Sequence, residues 1–472
     1  MKRIALLLAF ILILTPVLVS CNTDTDEKVT EAPSAIVEGS EFEYSLNDLR
    51  ELDYGDKDFG IFIDKGGTKY LISEEEDGDL VGDAVFQRNL AIEEKFNLNF
   101  NMVEAETNQP NSVIKNYILA DDKTFHMYVN VVTTPMLEMV LEGYFVDWSE
   151  LEDLDYTKPY WNSRVATDIN YGGKVYMMGG DLNLTTYNST NCLIFNKNLF
   201  DDLGIDHPYQ DVYDYTWTVD KMIEITRQGY ADLNGDTLWD KDNDRFGFTG
   251  WGWEMNQAVY IGMGGKPIVN DEDNMPVLNL NNDRNIKIFD KIIELFDKKN
   301  AYSEMSNYAR IGQMLSEGRL LIADRFVSAL SINRDSDYEF GLIPYPMLDE
   351  EQGEYYSRAA NIAHLCYIPT TNLEIQDTGL ILEAMSIESH NKVRPTYYDI
   401  TLDIKSAPDE ESIDMVDIVL DSSTYIYEGF VDAAGILGRV IGNQSNTFAS
   451  WYAGSEKIFE KKIEQIADFY SA

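Results

Sequence analysis

The stretch that decides the fold is DAVFQRNLAIEEKFNLNFNM, residues 83–102. Val85, Ile92 and Phe96 recur on one side of a helix, and Leu98, Phe100 and Met102 then alternate as in a strand with one covered face. Just upstream, Ile61-Phe62-Ile63 is a short apolar run of strand type. Strand, helix and strand in that order point to an α/β fold. Downstream, Met127 to Val132 reads as a further strand that runs into Thr133-Thr134-Pro135. A hydroxyl before proline predicts Thr134 as a helix N-cap with Pro135 as the first helical residue. Open α/β sheets bind ligands where a strand ends in a capped helix, which makes Thr134 a candidate binding residue. The stripe Ile286, Phe289, Ile293 and Phe296 predicts another helix over 283–296, and a last one covers 455–470.

The N-terminus carries a different signal. Lys2 and Arg3 precede an apolar run from Ile4 to Val19, and Leu18-Val19-Ser20 stands directly before Cys21. That pattern reads as a signal peptide over residues 1–20 with Cys21 as the lipidated first residue of the mature chain. The expected location is the extracellular face of the cytoplasmic membrane, reached through an N-terminal lipid anchor. Residues 21–45, rich in Thr, Asp, Glu, Ser and Pro, read as a flexible linker. Lys and Arg number 37 against 82 Asp and Glu, a net charge of -45, which repels nucleic acid and acidic lipid surfaces. Beyond Cys21 only Cys192 and Cys366 remain, each within an apolar run, and both are expected as buried free thiols.

Several segments, in order, carry a resemblance. They are residues 88–96 (RNLAIEEKF), Pro159-Tyr160-Trp161-Asn162, Phe195-Asn196-Lys197, Thr216-Trp217-Thr218, residues 340–346 (FGLIPYP) and Ile381-Leu382-Glu383-Ala384-Met385. Through them the chain resembles the extracellular solute-binding proteins of ABC transporters, family 1, the carbohydrate-type group found as lipoproteins in Gram-positive bacteria. The resemblance implies a type II periplasmic-binding-protein-like fold, two α/β lobes joined by crossing hinge strands around a ligand cleft. Mapped onto this sequence, lobe 1 takes residues 46–187 and 361–415 and lobe 2 takes 188–360 and 416–472. It further implies an oligosaccharide ligand, ABC permease subunits as partners and a monomer. His126 departs from the resemblance, because similar proteins often carry an acidic residue before the equivalent strand.

Sugar recognition needs flat apolar surface for pyranose faces and planar polar groups for paired hydroxyls. Trp251 and Trp253 lie where similar proteins supply cleft aromatics, and Trp161 lies where lobe 1 would present its rim. Arg325 follows the apolar run Leu320 to Ala323, at a strand end that similar proteins bring to the cleft, where its guanidinium can donate a fork of hydrogen bonds. Asp181, after Gly179-Gly180, completes the candidates.

A second constellation runs from Asp232 to Asp244. Asp232, Asn234, Asp236 and Asp240 stand at relative positions 1, 3, 5 and 9, with the Leu238 carbonyl at position 7, which is how a loop wraps calcium. The loop departs from the EF-hand, having glycine at position 4 and Asn243 at position 12. Catalytic signatures are sparse. The four histidines are scattered, and neither an HExxH pair nor a G-x-S-x-G elbow occurs. The chain is therefore expected not to be an enzyme. Since glycoside hydrolysis needs only two placed carboxylates, a surface glycoside hydrolase stays open as the alternative, beside a carbohydrate-binding surface protein with no transport role.

Overall fold

Capping explains where the deciding helix starts and stops. In the computed structural model, Asp79 accepts a hydrogen bond from the Val81 amide and opens the helix Leu80–Phe96. Asn97 closes it in the left-handed conformation, φ 52°, which asparagine tolerates better than most residues. The next strand begins at once, so the strand, helix and strand form a parallel crossover unit. The structure describes residues 43–106, 110–297, 301–304, 307–333, 336–402, 410–426 and 433–472, and the side chain of Trp253 is not among what it describes. The expected signal peptide, Cys21 and most of the linker lie outside the described residues.

The strands in chain order are β1 (Lys57–Ile63), β2 (Leu98–Glu104), β3 (Met127–Val131), β4 (Asn191–Asn196), β5 (Phe246–Trp251), β6 (Ile268–Asn270), β7 (Pro276–Leu278), β8 (Ala301–Glu304), β9 (Leu320–Phe326), β10 (Phe340–Ile343), β11 (Ser357–Arg358), β12 (His364–Tyr367) and β13 (Ser423–Thr424). A first sheet has the order β12-β3-β1-β2, a second β10-β4-β9-β5-β8. Within the first, β1 runs parallel to β2 and β3 and only β12 is antiparallel. In the second, β5 runs parallel to β8 and β9, whereas β4 is antiparallel to β9 and β10. β1 is buried continuously from Phe59 to Ile63, the pattern of a strand covered on both faces. Each such buried aliphatic or aromatic side chain contributes about 1.5–3 kcal/mol.

Each sheet gathers its own hydrophobic cluster, one around Phe59, Ile61 and Val129 and the other around Ile194, Phe248 and Ile322. The described chain is thus mixed α/β with two sheet-centred halves. The helix Glu410–Asp421 packs on β10 of the second sheet, so a boundary at 415 falls inside it. In the last helix, Phe448–Ser471, Phe448 and Phe459 join the second cluster but Ile463, Ile466 and Tyr470 join the first.

Two local expectations shift. At the end of β3 the N-cap is Thr133, with Thr134 and Pro135 inside the first turn, one residue earlier than the hydroxyl-proline pair predicts. In the helix Asp283–Leu295 the buried face is Ile288, Phe289, Ile292 and Leu295, while Ile286 is 40% exposed. Both free thiols, Cys192 and Cys366, are buried. Among the described residues no helix is long and apolar enough to cross a membrane.

Candidate functional site

Residues 183–191 tie the carboxyl ends of the two sheets together. The Asn183 amide donates to the carbonyl of Gly67, just past β1, at 3.2 Å, and the backbone N–H of His364 donates to Thr185 at 3.3 Å. At the other end, Asn191 donates to Asp324 on β9 at 2.9 Å. The strand ends that α/β proteins use for ligands therefore face a common crossing.

On the second sheet, β5 ends in Trp251, β8 in Glu304 and β9 in Asp324-Arg325-Phe326. Successive strand residues point to opposite faces, so Asp324 and Arg325 diverge. Asp324 is buried and accepts hydrogen bonds from Tyr345, at 2.6 Å, and Asn191. Burial pushes its carboxyl up to about 7. Gly250 makes room for it, since a Cβ there would stand 2.4 Å from the Asp324 Cβ. Beside it the fully buried Arg358 donates to Asn191, at 3.0 Å, and to Glu254 at the start of the helix Gly252–Gly262.

Arg325 goes the other way. It is 5% exposed, and its guanidinium lies over the ring of Tyr308 at 4.9 Å. No hydrogen bond or ion pair reaches it from any described residue, and its Nε is a buried donor without a partner. Trp251 meets the same Tyr308 ring edge to face, centroids 5.9 Å apart. Trp251 is half-buried and Tyr308 exposed, so an aromatic pair stands over a buried cation that no described residue hydrogen-bonds, at the ends of β5 and β9.

On the first sheet, β1 runs into Asp64, whose carboxylate meets His364 Nε2 at 3.1 Å. Burial pushes Asp64 up, but the His364 contact and the backbone N–H groups of Lys65 and Gly66 outweigh it and leave the carboxyl below its usual range. At the end of β3 the Thr133 hydroxyl is buried with no partner, next to the half-buried Thr134.

The remaining candidates sit elsewhere. Trp161 is 3% exposed, its indole N–H donates to Glu383 at 2.8 Å, and its ring packs against Trp148. It is part of a core and has no free rim face. Asp181 is fully buried, bonded to Tyr187 and His390 and 3.7 Å from Arg394, so its carboxylate is already saturated. His126 precedes β3, at the far end from the crossing. It stacks on Phe59 and accepts the Gly60 N–H at 3.0 Å, and burial lowers its pKa. A separate cavity of about 270 Å³, walled by Arg164, Asp168, Lys266 and Tyr425, includes none of the candidates.

In the acidic loop Asp232, Asp236 and Asp240 serve the loop's own backbone. Asp232 accepts from the amides of Gly235 and Thr237, Asp236 from Leu238 and Asp240 from Asp242. Lys241 reaches Glu304, and Asp242 meets Arg310, which anchors the loop to the end of β8. Among the described residues no group of three or more His, Cys, Asp or Glu gathers as metal ligands do.

Sequence reasoning did not single out Tyr308, Glu254, Arg358 or Asn191. Asn191 and Arg358 begin or end short strands, a weak local signal. Tyr308 has none, because only the sheet brings it against Arg325.

The fold with its paired sheets is shared with solved structures of low sequence identity. The chain is similar to an ABC substrate-binding protein from Listeria monocytogenes in complex with cycloalternan, with 14% identity over 87% of this chain and 98% of that one, TM-score 0.52. It is also similar to the GacH receptor of Streptomyces glaucescens, solved unliganded and with acarbose, at 14% identity over 86% and 99% of the two chains, TM-score 0.54. A cyclo/maltodextrin-binding protein complexed with maltotetraose has 10% identity over 86% and 97%, TM-score 0.58. No family model and no curated protein matches the sequence.

Proposed function

We propose that this chain is the substrate-binding lipoprotein of an ABC importer. It captures an oligosaccharide by lobe closure and delivers it, chemically unaltered, to the permease. The observation that carries the reading is the Trp251–Tyr308 pair beside the unpartnered Arg325 guanidinium, at strand ends that meet the inter-sheet crossing. A pyranose supplies what these groups lack, a flat C–H face for the rings and oxygen acceptors for the cation. The fold supports it, since structures of the same fold hold acarbose and maltotetraose. Lobe closure is how such folds bury a ligand between halves.

Cys21 would carry the lipid that holds the protein, as a monomer, at the outer face of the membrane. The loop from Asp232 to Asp240 would bind calcium by exchanging its backbone hydrogen bonds for oxygen ligation, pinning the loop. Thr134 would contribute from the first sheet, together with the free Thr133 hydroxyl.

Calorimetry against a panel of oligosaccharides tests the capture. At least one should bind, and Trp251→Ala should weaken it about ten-fold, the worth of one stacking ring. Release of reducing ends from a polysaccharide, or heat only from peptides, would remove the proposal.

A further inference from the structure

We infer that the oligosaccharide is acidic and that a uronic-acid carboxylate seats on the Arg325 guanidinium, an inference that rests on the sugar-capture reading and adds the charge of the substrate. Three arginines of the described chain are at least nine-tenths buried, Arg88, Arg325 and Arg358. Arg88 donates to the carbonyls of Tyr70, Leu71 and Leu182 and to Asn89 and Ser389. Arg358 has Asn191 and Glu254. Arg325 has an aromatic face, and among the described residues it has no hydrogen-bond partner.

A buried charge without a counter-charge is costly, and folds keep one chiefly where something else completes it. The nearby carboxylates are committed. Asp324, on the opposite face of β9, feels the Arg325 charge but accepts its hydrogen bonds from Tyr345 and Asn191, and Glu254 serves Arg358. Tyr308 covers one face of the guanidinium, which leaves the in-plane N–H groups to meet a ligand. A planar carboxylate matches that fork with two parallel hydrogen bonds, and charge-assisted bonds are roughly twice as strong as neutral ones. Sugar hydroxyls would fill the same positions without cancelling the charge. Trp251, edge to face with Tyr308, offers the apolar surface on which the sugar ring lies. The protein's net charge of -45 does not forbid an anionic ligand, because surface charges beyond roughly 8 Å are screened at physiological ionic strength.

The test is calorimetry of the full chain with matched pairs: oligo-uronates, such as trigalacturonate, and their carboxyl-reduced neutral forms. At least one uronate should bind about ten-fold or more tightly than its reduced partner. Arg325→Gln should bring that ratio to within about two-fold while the melting temperature is kept, and Arg325→Lys should retain part of it. If reduced sugars bind as well as or better than every uronate, the charge inference falls and sugar capture stands. If neither series binds, both fall. If Arg325→Gln leaves the ratio intact, the carboxylate seats elsewhere and the inference falls.

Discussion

The carboxyl ends of the two sheets differ in which buried polar groups they leave open, a hydroxyl and an imidazole nitrogen at the first and a guanidinium at the second. At the first sheet Asp64 closes on His364 and Gly67 on Asn183, while the buried Thr133 hydroxyl and His364 Nδ1 have no hydrogen-bond partner among the described residues. At the second, Asp324, Asn191, Arg358 and Glu254 are bonded to one another, and the adjoining Arg325, with the Tyr308 ring against it, hydrogen-bonds to no described residue. A network that completes itself holds a fold together, whereas a buried donor left open marks a place prepared for something from outside. Most of the affinity should therefore reside at the ends of β5 and β9.

The largest effect should come from opening the closed network. Arg358→Ala strips Glu254 of its buried counter-charge and Asn191 of a donor, and should cost about 3–5 kcal/mol of stability in denaturant unfolding. A loss under about 1 kcal/mol would show that the network is not what stabilises this end.

Next comes pH. The Asp324 carboxyl, raised to about 7, keeps a proton in the folded chain that the unfolded chain has already lost above about pH 4. The folded state binds more protons over that window, so this group's contribution falls as pH rises from about 4 to 7 and is flat above. Asp324→Asn removes the decline, and the stability difference between variant and parent should move in the variant's favour by pH 7. A pH-independent difference would contradict the assignment.

The smallest effect is expected at the acidic loop, far from both networks in chemistry. EDTA should lower the melting temperature by a few degrees and calcium restore it, because a ligand bound only by the folded state stabilises it. No change on either addition would leave the Asp232 to Asp240 loop as a self-bonded turn.

The alternation of periods in the sequence was enough to read the α/β class, because helix and strand differ in where apolar residues recur. Which of two overlapping stripes faces the core was not. Ile286 and Ile288 compete in one helix, and packing against the rest of the second cluster selects Ile288. The candidates that the structure brings together, Trp251 and Arg325, are those where a strand run ends in a chemical group. The site was illegible where the partner is distant in sequence. Trp161 is consumed by Glu383 and Asp181 by His390, each more than two hundred residues away, and nothing local announces either. Tyr308 was missed for the same reason.

The most direct measurement is a structure of the full chain with a bound oligosaccharide. The ligand should place an acceptor oxygen within about 3.2 Å of the Arg325 guanidinium and a pyranose face on Trp251. A sugar bound elsewhere, with Arg325 still unpartnered, would contradict the assignment of the site.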